Sequence, residues 1–263
     1  MRRWTAALVQ MALAEGAVDR NLDHALDLAA GEGGADLVVF PELFTTGYAL
    51  ERAAELARQG PGTLELLGRW ARSSGVRVAG TLLHPWAGGV ANAAFFVEAD
   101  GRVLDLYPKV HRFRPMDEHR YLEAGTSPRV WDTSLGRLAV AVCYDLRFPV
   151  FCHRLALSGA VALVVPAEWP RPRTRHWEVL LEARAVEGAW WVLGANRVGE
   201  GRDARFEGSS RVVDPWGRVV ACLGDDEGAI VAEVDPALSA EARTRIPVFD
   251  DRVPALDDPS PLS

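Results

Sequence analysis

Three reactive side chains stand at comparable places in the sequence, each just past a short apolar run. Cys143 follows Leu138-Ala139-Val140-Ala141-Val142, Glu42 follows Leu37-Val38-Val39-Phe40-Pro41, and Lys109 follows Leu104-Asp105-Leu106-Tyr107-Pro108. A thiol, a carboxylate and an ammonium make up the set needed to open an amide: a nucleophile, a group that takes and later returns a proton, and a cation for the developing oxyanion. The thiol needs help, because at an ordinary pKa of about 8.5 only a few per cent of it is thiolate at neutral pH.

The apolar runs read as strands buried on both faces. In α/β folds ligands gather beyond the carboxyl ends of strands, and a turn after Val142 leaves backbone N–H groups free to face an anion. Taken singly, each residue also has an ordinary reading. Cys143 could be inert core, Glu42 a solvated loop acid and Lys109 a surface lysine.

Elsewhere, apolar periodicity predicts helices over Val18–Ala30, Leu50–Gln59, Phe148–Leu157 and Arg173–Glu187, and another opening at Pro61. Gly31, Gly33 and Gly34 end the first. Further strands are expected over Trp4–Gln10, Val76–Leu83, Asn92–Val97, Val161–Val165, Trp190–Ala195, Gly208–Val213, Arg218–Leu223 and Ala229–Val234. His84 to Gly89 reads as a turn-rich link, and Asp100-Gly101 as a hairpin that aims Lys109 back at the site. Val110 to Arg137 has no clean periodicity, so it is expected to be irregular and functional. Pro247, Pro254, Pro259 and Pro261 predict an irregular tail.

Taken together, the three contexts resemble the carbon–nitrogen hydrolases of the nitrilase superfamily. Pro41-Glu42-Leu43-Phe44-Thr45-Thr46-Gly47-Tyr48, Tyr107-Pro108-Lys109-Val110-His111-Arg112-Phe113 and Cys143-Tyr144-Asp145-Leu146-Arg147-Phe148-Pro149 follow that family's order, and the likeness runs from about Trp4 to Phe249. It implies an α/β fold, a four-layer α-β-β-α sandwich, in one domain spanning 1–263. It also implies a Glu42-Lys109-Cys143 triad that works through a thioester, with the Tyr144 backbone N–H beside Lys109 at the oxyanion and with no metal or organic cofactor.

The stretch Pro115-Met116-Asp117-Glu118-His119-Arg120-Tyr121-Leu122-Glu123-Ala124-Gly125 resembles the family segment that places a further acid at the lysine. That makes Glu118 the residue expected to orient Lys109, with Asp117 and Glu123 as competitors. Trp169 and Tyr48 are expected to line the pocket. Arg147, Arg173 and Arg175 remain open between binding a carboxylate and capping helices. His111 reads as structural, since the family moves protons with Glu; Cys152 and Cys222 read as structural, and Cys143 with His153 lacks a second cluster for a metal.

Within the superfamily, Trp169-Pro170-Arg171-Pro172-Arg173, His176-Trp177 and Ala183-Arg184-Ala185-Val186-Glu187 resemble the omega-amidase branch. The implied substrate is the terminal amide of a small 2-oxo acid such as 2-oxoglutaramate. An N-carbamoyl amide hydrolase stays open, and a nitrilase ranks lower because Tyr144 stands where those enzymes carry Trp. A homologue that only binds a ligand or partner is the alternative of another class.

Composition narrows the rest. Of 263 residues, 49% are hydrophobic, ample for a large core, and 29 basic against 36 acidic residues leave a net charge of −7, which argues against nucleic acid as a partner. Three cysteines cannot all pair, consistent with a reducing, cytoplasmic setting. Met1-Arg2-Arg3 and the apolar residues after it imitate a signal peptide, but Gln10 interrupts the run, and no stretch reaches the roughly 18 apolar residues of a membrane span. The resemblance also implies a homodimer or larger even assembly, pairing through the helix at 148–157 and the C-terminal segment.

Overall fold

Strands apolar on both sides need cover on both sides, and the fold supplies it by stacking two six-stranded sheets. A computed structural model describes residues 2–254 apart from 32, 33 and 203. The first half holds β1 (Trp4–Gln10), α1 (Val18–Ala30), β2 (Leu37–Val39), α2 (Ala53–Leu56), α3 (Gly60–Ser74), β3 (Arg77–Trp86), β4 (Gly89–Val97), β5 (Val103–Pro108) and α4 (Glu118–Tyr121). The second holds β6 (Arg129–Thr133), β7 (Gly136–Val140), α5 (Pro149–Ala156), β8 (Ala162–Ala167), α6 (Thr174–Gly188) and β9 (Trp191–Asn196). A small hairpin of β10 (Val198–Glu200) and β11 (Arg205–Glu207) follows, then β12 (Arg211–Val213), β13 (Val219–Cys222), β14 (Gly228–Val234) and α7 (Pro236–Arg245).

One sheet runs β14-β1-β2-β3-β4-β5 and the other β13-β12-β9-β8-β7-β6. The centres are parallel, β1-β2-β3 in one and β7-β8-β9 in the other. Ala6, Leu8, Leu37, Val39 and Phe96 share one buried cluster with Trp131, Leu138 and Val140 of the facing sheet. The Phe96 and Trp131 rings meet across the seam at 5.6 Å. The alternate residues Ala7, Val9 and Val38 turn outward against Leu22 and Ala25 of α1 and Leu64 and Leu67 of α3. On the other sheet α5 and α6 give the cover with Phe151, Leu155, Trp177, Leu181 and Ala185. There α6 lies so close to β9 that a Cβ on Gly194 would come within 2.6 Å of Leu181. These are the four layers, α-β-β-α.

Some expectations need correction. The Val110–Arg137 interval is not wholly irregular, since it contains α4, β6 and the start of β7. β6 escapes detection because it is an edge strand of five residues with a single buried side chain, Trp131. α7 is absent from the expected elements; its buried positions are Pro236, Ser239 and Ala242, too small and polar to give an apolar period, and Asp235 caps it by accepting from the Ala237 N–H at 2.9 Å. β3 continues to Trp86, and the reversal is Ala87-Gly88, both left-handed with φ 49° and 84°. The helix stop at Gly33 and the tail prolines Pro259 and Pro261 lie outside the described residues. Among those described, no helix is long and apolar enough to cross a membrane.

Candidate active site

Parallel strands bring their carboxyl ends to one edge, and hairpin β4-β5 reaches the same place. β2 ends at Val39, three residues before Glu42. Lys109 follows β5, its N–H donating to the Asn92 carbonyl at 2.9 Å. Cys143 follows β7 and opens a 3₁₀ turn over Cys143–Arg147. The carboxylate, the ammonium and the thiol are all buried.

The contacts are close. Lys109 Nζ lies 2.7 Å from Glu42 Oε1 and 2.7 Å from Glu118 Oε1. Asn92 Nδ2 donates to Glu42 Oε1 at 2.7 Å, and the Glu168 backbone N–H donates to Oε2 at 3.0 Å. Glu118 accepts the Tyr48 O–H at 2.7 Å on Oε1 and the Phe113 N–H on Oε2. Glu118 is thus the acid at the lysine; Asp117 pairs with Arg120 at 3.2 Å, and Glu123 packs on Gly89.

Cys143 adopts a left-handed backbone, φ 46°, a conformation that costs a non-glycine residue about 1 kcal/mol or more and that recurs at functional turns. Asp145 holds this turn. Its Oδ2 accepts the Val142 N–H at 3.1 Å, and its Oδ1 accepts the His111 N–H at 2.8 Å and lies 2.7 Å from His111 Nδ1. With its ring stacked on Phe148 at 3.5 Å, His111 serves the scaffold. The sulfur lies 3.8 Å from the Glu168 carbonyl oxygen.

Electrostatics separates the partners. Burial works against a charged Lys109, but Glu118 and Glu42 outweigh it and raise its pKa well above the ordinary value. Lys109 therefore stays an ammonium. Burial first, then Glu42, push the Cys143 thiol well up, and Lys109 does not offset them. At neutral pH the sulfur is a thiol, so it can attack only as a base takes its proton.

Above Cys143 lies a narrow pocket whose walls include Phe113, Tyr144, Trp169 and Pro170. Tyr48 stands elsewhere, behind Lys109, where burial and then Glu118 hold its phenol well above the usual pKa. Arg147 and Arg173 line this pocket, the first 4.6 Å from the Trp169 ring centroid and the second 5.4 Å from that of Phe113. Arg175 instead pairs with Glu178 at 3.4 Å.

Residues 5–244 match the family model described as carbon-nitrogen hydrolase. The chain belongs to the carbon–nitrogen hydrolase family. It is 38% identical over 252 residues to the 2-oxoglutaramate amidase of Bacillus subtilis (strain 168), covering 95% of this chain and 97% of that one. It is 36% identical to omega-amidase YafV of Escherichia coli (strain K12), with coverage of 88% and 90%. The crystal structure of XC1258 from Xanthomonas campestris, a CN-hydrolase superfamily protein with an arsenic adduct in its active site, superposes with a TM-score of 0.91 at 30% identity over the whole of both chains.

Sequence reasoning missed two parts of this carbon–nitrogen hydrolase site. Asn92 could have been flagged as an amide inside an apolar strand, but its target depends on β4–β5 register. Glu168 touches the site through its backbone, and its buried carboxylate meets Arg197 at 2.6 Å. Burial, only partly countered by Arg197, raises its pKa to about 8. An acid with a folded pKa above its unfolded value contributes stability that is complete below the ordinary carboxylate pKa and lost as pH rises through about 8. The hydrolase is therefore expected to lose more stability between pH 6 and 9 than its Glu168→Gln variant does, by on the order of 2 kcal/mol, in denaturant titrations at the two pH values.

Proposed function

We propose that the chain is an omega-amidase that hydrolyses the terminal amide of a small 2-oxo acid, 2-oxoglutaramate or a close analogue, and releases ammonia. The observation that carries this reading is the pair of guanidinium groups beside the nucleophile. Among the described residues neither Arg147 nor Arg173 has a carboxylate in ion-pair range, and burial followed by the charge of Arg173 lowers the pKa of Arg147. Two cations facing one apolar pocket are unfavourable until an anion lies between them, and a substrate carboxylate fits the guanidinium fork.

In the proposed reaction Glu42 accepts the thiol proton as Sγ attacks the amide carbon. The carbonyl π electrons move onto oxygen, where the Lys109 ammonium and the Tyr144 backbone N–H stabilise the charge. Collapse breaks the carbon–nitrogen bond, Glu42 hands its proton to the departing nitrogen, and a thioester remains. Glu42 next deprotonates a water that attacks this carbon, and the second collapse expels the sulfur, which regains its proton, and frees the acid. Glu118 orients Lys109 throughout.

Ammonia release from 2-oxoglutaramate by the purified protein, against a Cys143→Ala control, tests the assignment; no excess over the control would sink it. Arg147→Met is expected to raise KM for 2-oxoglutaramate more than tenfold while changing kcat less than threefold, in the same assay over a range of substrate concentrations. We further take 1–263 as one domain acting in the cytoplasm as a homodimer or larger even assembly. Exposed Val150 and Leu157 at the helix α5, with Ile246 and Val248 in the C-terminal segment, support a pairing face there. Light scattering on the eluted peak tests it.

A further inference from the structure

We propose that Glu168 and Arg197 form a buried strut that positions the reacting pair, by holding the Glu168 peptide between Glu42 and Cys143. This rests on those two residues acting as base and nucleophile, and not on which amide is cleaved.

Two contacts define the task. The Glu168 backbone N–H donates to Glu42 Oε2 at 3.0 Å, and the Glu168 carbonyl oxygen lies 3.8 Å from Cys143 Sγ. The main chain of one residue thus touches both the acid and the sulfur. Lys109 and Asn92 both donate to Glu42 Oε1, so the Glu168 N–H is the donor that fixes Oε2, and an oxygen with one lone pair engaged keeps another for the thiol proton.

That peptide is held through its own side chain. The Glu168 and Arg197 side chains are fully buried, and Arg197 Nη1 donates to Glu168 Oε2 at 2.6 Å and to Glu15 Oε1 at 3.0 Å. Arg197 Nη2 donates to the carbonyl oxygens of Leu13 at 3.4 Å and Glu200 at 3.1 Å, and the guanidinium lies 4.3 Å over the Phe206 ring. Leu13 and Glu15 follow β1, in the sheet that carries Glu42, whereas Glu168 and Arg197 follow β8 and β9, in the sheet that carries Cys143. The strut therefore crosses from one sheet to the other at the reacting edge. A planar guanidinium with five fixed donors suits such a span.

The strut needs an acceptor on Glu168 more than a charge, because Oε2 accepts from Nη1 whether or not the acid is protonated. Among the described residues Glu168 Oε1 has no hydrogen-bond partner, so an amide NH₂ can stand in its place.

The experiment compares the intact chain with Glu168→Leu, Glu168→Gln and the double variant Glu168→Leu/Arg197→Met on 2-oxoglutaramate, with a melting curve beside each rate. Glu168→Leu is expected to lower kcat by roughly thirty- to hundredfold, the cost of about 1 Å of misplacement, while KM stays within about threefold. Glu168→Gln should recover about tenfold of that loss, because its oxygen still meets Arg197. The double variant removes both polar groups together, so it should melt close to the parent and keep the low kcat. A double variant that regains the rate along with the stability, or a rise in KM with kcat intact, would overturn the strut. Iodoacetamide labelling gives a reading that needs no substrate. The Glu168 carbonyl favours the protonated sulfur, so its displacement in Glu168→Leu and in the double variant should quicken alkylation of Cys143 about fivefold relative to buried Cys152. An unchanged ratio would also overturn the strut. If the parent releases no ammonia from 2-oxoglutaramate, the amidase reading falls and the alkylation ratio alone decides the strut.

Discussion

Lys109→Met is expected to lower kcat by three orders of magnitude or more and to destabilise the fold by about 3–5 kcal/mol. The side chain is buried, with a carboxylate oxygen 2.7 Å away on either side. Removing the cation leaves Glu42 and Glu118 facing each other with no counter-charge, and one of them must take up a proton. If that one is Glu42, the base for the thiol is gone; in either case the oxyanion loses its strongest donor. The stability deficit should narrow as pH falls toward the ordinary carboxylate range, because protonation relieves the repulsion. Ammonia assays and denaturant titrations at pH 5 and pH 8 check both halves, and a variant retaining a tenth of the parent rate would refute the assignment of Lys109.

Glu42→Gln separates nucleophilicity from turnover. Every polar neighbour of this carboxylate donates to it: Lys109 Nζ, Asn92 Nδ2 and the Glu168 N–H. An amide NH₂ would meet one of these donors head-on, and the amide cannot accept the thiol proton, so kcat should fall by about 10²–10⁴. The thiol itself should become easier to ionise, since Glu42 is, after burial, the main influence raising its pKa while Lys109 still favours the thiolate. Alkylation of Cys143 by iodoacetamide, read by mass spectrometry, is therefore expected to quicken as hydrolysis fails. A parallel fall in both would contradict Glu42 as the base. Labelling must be resolved by site, because Cys222 is exposed while Cys143 and Cys152 are buried.

What the sequence made legible is what lies in contiguous words. Glu42, Lys109 and Cys143 each follow an apolar run, and their contexts identify them before any contact is known. Glu118 could be preferred over Asp117 and Glu123 only through the family segment; its Oε1 lies 2.7 Å from Lys109 Nζ. Asn92 and Glu168 were hidden because their importance lies in what other strands bring beside them. Ala93 pairs with Pro108, which sets Asn92 next to Lys109; one residue of slip would turn the amide to the opposite face. The second sheet was beyond periodicity as well, since an apolar strand looks the same whether a helix or another sheet covers it.

Glu42 and Lys109 hang from one sheet and Cys143 from the other, so the reacting trio spans the seam closed by Phe96 and Trp131. The two layers act like the jaws of a vice on whatever is held between sulfur and ammonium, and their spacing is set by side chains remote from any substrate. Tuning the reactivity of this enzyme by changing its interior filling is thus as direct a route as altering the pocket itself.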